Sequence, residues 1–518
     1  MCVKNNTLCS TYRAEQYWDT IPIPAGFGGH DPDSCRFRGT RSRFLPVSGD
    51  TIPIPAESGH VPRNLAADCI CRANFYNARN SYSCIELRPG TSSGNPVQNV
   101  IIDKPYRFVA PCRGGFWPRL LYLHLPRYLE KNFGLVRVDC AGVERLKSSL
   151  AAGHGILLAP NHSRPCDPQV LGMLAREARC TLFLMASWHL FMQSRAQTWL
   201  LRRAGAFSVY REGMDRAAIG EAIGILERAE RPLILFPEGI VSRTNDCLSP
   251  LQEGTAFIAR NAAKKRLKVS AQTKVVLHPV ALNYFYQGDI RASVQPVLDE
   301  IEKRLSWRPQ RHLPLVERIY KLGSALLGLK EIEYLGQPQG GEIKERLARL
   351  RDIILDPLEK EWRGGKREAN IVARVKALRA AILPDMAAGE VSDEERSRRW
   401  RQLADLYLVQ QLDFYRPDYV RSRPTPERIL ETVERFEEDL TDETRIYQPM
   451  TAHIEVGEAI EVNPERDRSA ASDPVMRKLE DSLREMLQRN AEKFTKPLEP
   501  ADFLFKEPAA NSPGKDSP

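Results

Sequence analysis

Four short apolar runs constrain the fold of this 518-residue chain more than any other feature. They are Gly155-Ile156-Leu157-Leu158-Ala159, Thr181 to Ala186, Pro232-Leu233-Ile234-Leu235-Phe236 and Val275-Val276-Leu277-His278-Pro279-Val280-Ala281-Leu282. None contains Asp, Glu, Lys or Arg, and such short continuous runs suit strands buried on both faces. Helical stretches separate them. Asp215 to Ala229 places Ile219, Ile223 and Leu226 on one face. Ser249-Pro250-Leu251-Gln252 reads as a capping box that opens a helix through Phe257 and Ile258 towards Lys265. Strands alternating with helices predict an α/β fold, a mixed and largely parallel sheet flanked by helices.

In open α/β sheets the crevice beyond the carboxyl ends of the strands holds ligands, so the residues that follow these runs are the candidates. The first run is followed by Asn161-His162-Ser163-Arg164-Pro165-Cys166-Asp167. Asp167 and Pro168 read as the N-cap and first position of a helix, which puts His162 in a strand-to-helix loop. A histidine five residues before an aspartate can take a carboxylate on one ring nitrogen and keep the other for a substrate hydroxyl, as a general base with its orienting partner does. The same spacing fits a plainer arrangement, in which Asp167 only caps its helix and His162 only bonds a loop carbonyl. Gly205 to Arg211 brings a turn residue, a β-prone run and an arginine suited to phosphate. The third run breaks at Pro237 into Glu238-Gly239 and then Ser242-Arg243. For Arg211 and Arg243, a solvated surface charge stands beside the anion-binding reading. Nothing marks Cys166 as a nucleophile.

In this order the boxes Asn161 to Asp167, Gly205 to Arg211, Phe236-Pro237-Glu238-Gly239 and the proline box at Pro279 resemble the glycerolipid acyltransferase family, over roughly residues 100 to 295. That family includes the lysophosphatidate acyltransferases. The resemblance implies transfer of a fatty acyl group from acyl-CoA or acyl carrier protein to a hydroxyl of a glycerol phosphate or lysophospholipid acceptor, in phospholipid biosynthesis or remodelling. It casts His162 as the base that deprotonates the acceptor and Asp167 as the group that fixes the imidazole tautomer. Arg211 would pair with acceptor phosphate, while Glu238 and Gly239 would line the acceptor pocket. Asn161, Arg164, Gly205, Phe236, Pro237, Ser242, Arg243 and Pro279 would complete the substrate-binding surface. No metal and no cofactor is implied, since the donor enters as a substrate. The third box departs from the family, which commonly continues after the glycine with threonine, arginine and serine where this chain has Ile240-Val241-Ser242-Arg243. This keeps open a catalytically silent lipid- or partner-binding protein of the same fold. A hydrolase or metal enzyme using His162, Asp167 and Glu238 finds no second histidine at ligand spacing and no G-x-S-x-G elbow.

The formal net charge of +9 suits an enzyme approaching anionic headgroups or the phosphates of coenzyme A. No basic run interleaved with aromatics forms a nucleic-acid motif, so nucleic acid is not an expected partner. The opening residues lack the apolar stretch of a secretory signal. Leu182 to Met192 is too short for a bilayer, which needs roughly 20 residues. The expected location is cytoplasmic, peripheral at the inner membrane face. Phe116 to Leu129 combines aromatics, leucines and arginines, as an interfacial helix does, although a core-packing helix fits its leucines better.

Residues 1–97 read as a low-order region, with six of the 11 cysteines in its first 84 positions and a recurring Asp-Thr-Ile-Pro-Ile-Pro-Ala at Asp19 and Asp50. This stretch could be upstream sequence read past a later start. Residues 98–298 would form the acyltransferase α/β domain and 299–447 a charged helical insertion before the final strand and helix. Within it Ile343, Leu347, Leu350 and Ile354 recur at helical spacing, as do residues in Ile371 to Leu383 and Trp400 to Leu412. Residues 448–492 would return to the catalytic domain through a strand and turn at His453 to Val462 and a helix opened by Asp473-Pro474, and 493–518 reads as a disordered tail.

Overall fold

The computed structural model describes residues 104–269, 273–441, 445–466, 472–496 and 498. The expectations for residues 1–97 and for the tail beyond 498 lie outside the described residues. Helix α1 (Phe116–Phe133) leads into strand β1 (Leu135–Ala141) and helix α2 (Val143–Ala151). The chain continues through β2 (Gly155–Pro160), α3 (Asp167–Glu177), β3 (Phe183–Ser187), the short α4 (His189–Met192), α5 (Arg195–Ala204) and β4 (Ala206–Val209). Next come α6 (Arg216–Arg228), β5 (Leu233–Ile234), α7 (Gly254–Val269) and β6 (Val275–Tyr286).

All four expected strands form. β6 outruns its predicted end by four residues and β5 keeps only Leu233 and Ile234. α7 corrects the capping-box expectation: it starts at Gly254, because the Ser249 backbone N–H donates to Glu238 Oε2 at 2.9 Å and holds Ser249 to Gln252 as a loop.

Helices α8 (Ile290–Arg304), α9 (Leu315–Leu335), α10 (Ile343–Arg363), α11 (Ile371–Ala388), α12 (Asp393–Phe414), α13 (Tyr419–Ser422) and α14 (Pro426–Thr441) follow. Strands β7 (Met450–Val456) and β8 (Ile460–Glu461) and helix α15 (Pro474–Phe494) complete the described fold.

The strands form one eight-stranded sheet in the order β1-β7-β6-β2-β5-β3-β4, with β8 also on β6. β6 pairs parallel with β2 and antiparallel with β7 and β8, while β1–β7, β2–β5, β3–β5 and β3–β4 are parallel. Every residue of β2 and β6 is buried, the consequence of helices on both faces. Side-chain alternation divides the core. Ile156, Leu158, Val280, Leu282 and Tyr284 face one layer with α1, α3, α8 and α14. Leu157, Ala159, Leu277 and Ala281 face the other with α6, α7 and α15.

Helices α10, α11 and α12 pack around a separate core of Leu350, Leu378, Leu403 and Leu406. Together with α9, these helices hold an internal repeat. Ile319, Leu347, Val375 and Leu403 recur at a 28-residue step, as do Leu322, Leu350, Leu378 and Leu406, and all eight are buried. The residue before each of the first set is Arg318, Arg346, Arg374 or Gln402. Each arginine forks onto a glutamate of the preceding helix. Arg318 meets Glu302 at 2.9 and 2.7 Å, Arg346 meets Glu331 at 2.9 and 2.8 Å, and Arg374 meets Glu359 at 2.8 and 2.9 Å. Bidentate pairing satisfies charges that burial would otherwise penalise.

Candidate active site

The parallel strands bring several predicted residues to one edge of the sheet. His162 follows β2 and Glu238 follows β5; Arg211 lies two residues beyond β4. His162 Nδ1 stands 2.8 Å from Asp167 Oδ2. Asp167 is fully buried and accepts two further hydrogen bonds, from the Arg164 backbone N–H at 3.0 Å and from the Tyr284 hydroxyl. A carboxylate oxygen only accepts, so a neutral imidazole here carries its proton on Nδ1 and keeps Nε2 as an acceptor. The expected capping role of Asp167 is not observed: α3 starts at Asp167 itself and Cys166 occupies the N-cap without a side-chain bond. The carboxylate is engaged by the histidine loop instead.

The third box fixes the main chain of His162 from both sides. Glu238 Oε1 accepts from the His162 N–H at 2.6 Å, while the His162 carbonyl accepts from the Ser242 N–H at 2.6 Å and Oγ at 3.0 Å. Both Glu238 oxygens are therefore taken by backbone donors, and burial pushes its carboxyl up to about 7. Phe236 stacks on the imidazole with ring centroids 3.9 Å apart, covering one face from water. Gly239 turns the chain at φ 70°, with its N–H bonded to the Phe236 carbonyl, and the Pro237 carbonyl accepts from the Gln252 N–H.

Other box residues secure the frame. The buried Asn161 side chain bridges to β6, donating to the Leu282 carbonyl at 3.0 Å and accepting from its N–H at 2.7 Å. Pro279 lies within the sheet in register with Ala159, and its carbonyl accepts from Gly457 where the antiparallel neighbour changes from β7 to β8. Gly205 lies at the entry of β4, the edge opposite His162, with φ 98° and the Leu182 carbonyl 2.4 Å from where a Cβ would stand. Burial pushes the Cys166 thiol up to about 12, which removes it as a thiolate nucleophile.

Arg164 and Arg243 face α14. Arg164 lies 3.6 Å from Glu434 and over the Tyr284 ring at 5.3 Å. Burial opposes its charge, but Glu434 and Glu431 more than compensate and raise its pKa. Arg243, largely buried, pairs with Glu438, and its carbonyl accepts from Arg435. These arginines, Tyr284 and the end of α1 border a cleft closed by Glu434, Glu437 and Tyr447. Tyr284 and the α14 carboxylates escaped the sequence reading, since they sit more than 100 residues from the histidine. Among the described residues, no group of three or more His, Cys, Asp or Glu side chains could hold a metal ion.

Residues 137–283 match the family model described as Acyltransferase. Over 115 residues the chain is 32% identical to the 1-acyl-sn-glycerol-3-phosphate acyltransferase of Streptococcus pneumoniae, a match covering 22% of this chain and 40% of that protein. The chain thus spans less than half the length of that relative. No solved structure matches the chain.

Proposed function

We propose that this protein transfers a fatty acyl group from acyl-CoA or acyl carrier protein to the hydroxyl of a glycerol phosphate or lysophospholipid, as a step of phospholipid biosynthesis or remodelling. The supporting observation is the His162–Asp167 pair at 2.8 Å, held in place by Glu238 and Ser242. Nε2 of His162 takes the acceptor proton as the alcohol oxygen attacks the thioester carbonyl. Asp167 stabilises the imidazolium that forms, and the proton then passes to the departing thiolate. The substrate supplies the nucleophile, so no acyl-enzyme forms. A catalytic α/β domain at 98–298, a helical insertion at 299–447 and a return at 448–492 are part of this proposal.

The same reading places the enzyme on the inner face of a membrane as a peripheral protein. Among the described residues, no helix is long and apolar enough to cross a bilayer. α1 buries Tyr128 and Leu129, as a core-packing helix should, yet its N-terminal half leaves Phe116 68% and Leu123 64% exposed. Trp199 of α5, 42% exposed, meets Trp117 edge-on at 5.0 Å, and Arg203 lies over both indoles. Exposed Arg119, Arg195 and Arg202 complete an aromatic and cationic surface that suits anionic headgroups.

The test supplies labelled acyl-CoA and a panel of glycerol phosphate and lysolipid acceptors. His162→Ala is expected to lower turnover by about 10²–10⁴-fold with an unchanged circular dichroism spectrum. Wild-type turnover in the variant would sink the assignment. Lipid binding by both proteins, with no turnover in either, would favour the catalytically silent reading that the altered third box keeps open.

A further inference from the structure

Arg164, Arg243, Tyr284, Glu434, Glu437 and Arg445 are among the residues that line the cleft beside the histidine loop. The cleft adjoins the proposed catalytic pair, because Tyr284 forms part of its wall while donating its hydroxyl to Asp167, and Arg164 stands two residues past His162. Three of its charged groups are closely matched. Arg243 pairs with Glu438, and Glu437 pairs with Arg445 and accepts from the Tyr447 hydroxyl at 3.4 Å. Arg164 and Glu434 are not. Their side chains, 17% and 20% exposed, stand 3.6 Å apart, beyond the roughly 2.7–2.9 Å of a charge-assisted hydrogen bond. Among the described residues neither side chain makes a hydrogen bond, and Arg164 Nε has no partner although it is closed to solvent. One cation with spare donors thus faces one anion with spare acceptors, and burial makes both omissions costly.

We propose that this cleft binds the headgroup of a zwitterionic lysophospholipid acceptor, with Arg164 on the phosphodiester and Glu434 on a primary ammonium. A phosphodiester carries one negative charge and the ammonium one positive, so the ligand fills both vacant sets of hydrogen bonds and adds no net charge to the cleft. A phosphomonoester suits it less. Its charge of about −1.5 to −2 would stand beside Glu434 and Glu437 with one loosely matched arginine to meet it. Val241, where the resembled family commonly has an arginine, removes a further cation from the third box. A quaternary ammonium offers no N–H to the Glu434 oxygens and is ordinarily held by an aromatic cage. Naming the headgroup as part of an acceptor rests on the acyl-transfer reading, whereas the binding site itself does not.

Isothermal titration calorimetry of the full chain tests this with monomeric hexanoyl lysophospholipids that carry ethanolamine, choline or a bare phosphate. The wild type is expected to bind the ethanolamine form about tenfold more tightly than either of the others, as one additional charged hydrogen bond implies. Glu434→Gln should erase the preference over choline and strengthen binding of the bare phosphate, with an unchanged circular dichroism spectrum. Arg164→Lys should weaken all three, because a point charge replaces the fork. A structural role alone would leave the order of the ligands unaltered in Glu434→Gln. That result would overturn the proposal, as would equal affinities, tighter binding of the bare phosphate or no binding of any of them by the wild type. The wild-type ranking decides the matter even where a variant does not fold. None of these readouts needs turnover, so failure of the acyl-transfer reading in the His162→Ala assay is recognised separately.

Discussion

At the scale of single residues, the pair that carries the proposed chemistry depends on a third group from another strand. Tyr284, four residues past the Val280 that pairs with Pro160, donates its hydroxyl to Asp167 Oδ1 from the buried face of β6. Burial raises the Tyr284 pKa well above the ordinary phenol value, with the Asp167 charge adding to it, so the hydroxyl remains a donor across the working pH range. Tyr284→Phe leaves one oxygen of the fully buried Asp167 carboxylate without its donor. Hydrogen bonds to charged groups are worth about 1.5–3 kcal/mol. The expected outcome is a loss of about that much stability by urea unfolding, together with a kcat roughly tenfold lower, since a misoriented imidazole loses part of its catalytic factor. A variant with wild-type kcat would show that Tyr284 serves packing alone.

At the scale of elements, α14 joins the helical segment to the sheet through buried carboxylates. Glu427, in its first turn, accepts from the Tyr286 N–H at the end of β6, at 3.2 Å. Burial pushes its carboxyl from the ordinary 4.5 up to about 7. The folded state therefore holds this proton more tightly than the unfolded chain does. The resulting stabilisation is complete below about pH 4.5 and is lost as pH rises through about 7. Glu427→Gln cannot titrate, so relative to the wild type it should gain about 1–3 kcal/mol between pH 5 and pH 8. Chemical denaturation of both proteins at the two pH values checks this, and comparing them cancels the other titrating groups. An identical difference at both values would show that the carboxyl titrates in its ordinary range.

At the scale of the molecule, the surface made by α1 and α5 and the site beyond β2 would serve one task, bringing a soluble thioester to a lipid at an interface. Phe116→Glu and Trp199→Glu place charge on the exposed aromatic surface without touching the His162 loop. Each is expected to weaken binding to vesicles containing anionic lipid about tenfold, as follows from withholding one buried aromatic from the headgroup layer. Co-sedimentation at low and high salt measures the effect, and the wild type should release the vesicles as salt rises. Turnover of a short-chain, water-soluble acceptor should be preserved. Unaltered vesicle binding by both variants would place the lipid contact elsewhere.

The sequence by itself determined the central strands β2 and β6, because they are covered on both faces and must read as continuous apolar runs, whereas β1, interrupted by Arg137 and Asp139, gave no such signal. It also put His162 and Asp167 in one loop, but the same spacing fitted a helix cap, and the structure chose the 2.8 Å pairing. The 28-residue recurrence was present in the sequence too, but its meaning depends on knowing that Arg318, Arg346 and Arg374 each reach the preceding helix. Only the tertiary structure decided what stands around the histidine. Tyr284 reaches Asp167 from 117 residues away, and Glu238 grips the His162 backbone from 76 residues away. It also decided that Arg243 faces Glu438 and that Gly205 belongs to the opposite edge of the sheet. Spacing along a chain fixes geometry only within a turn or a loop, and contacts between strands and helices depend on packing that no local pattern encodes.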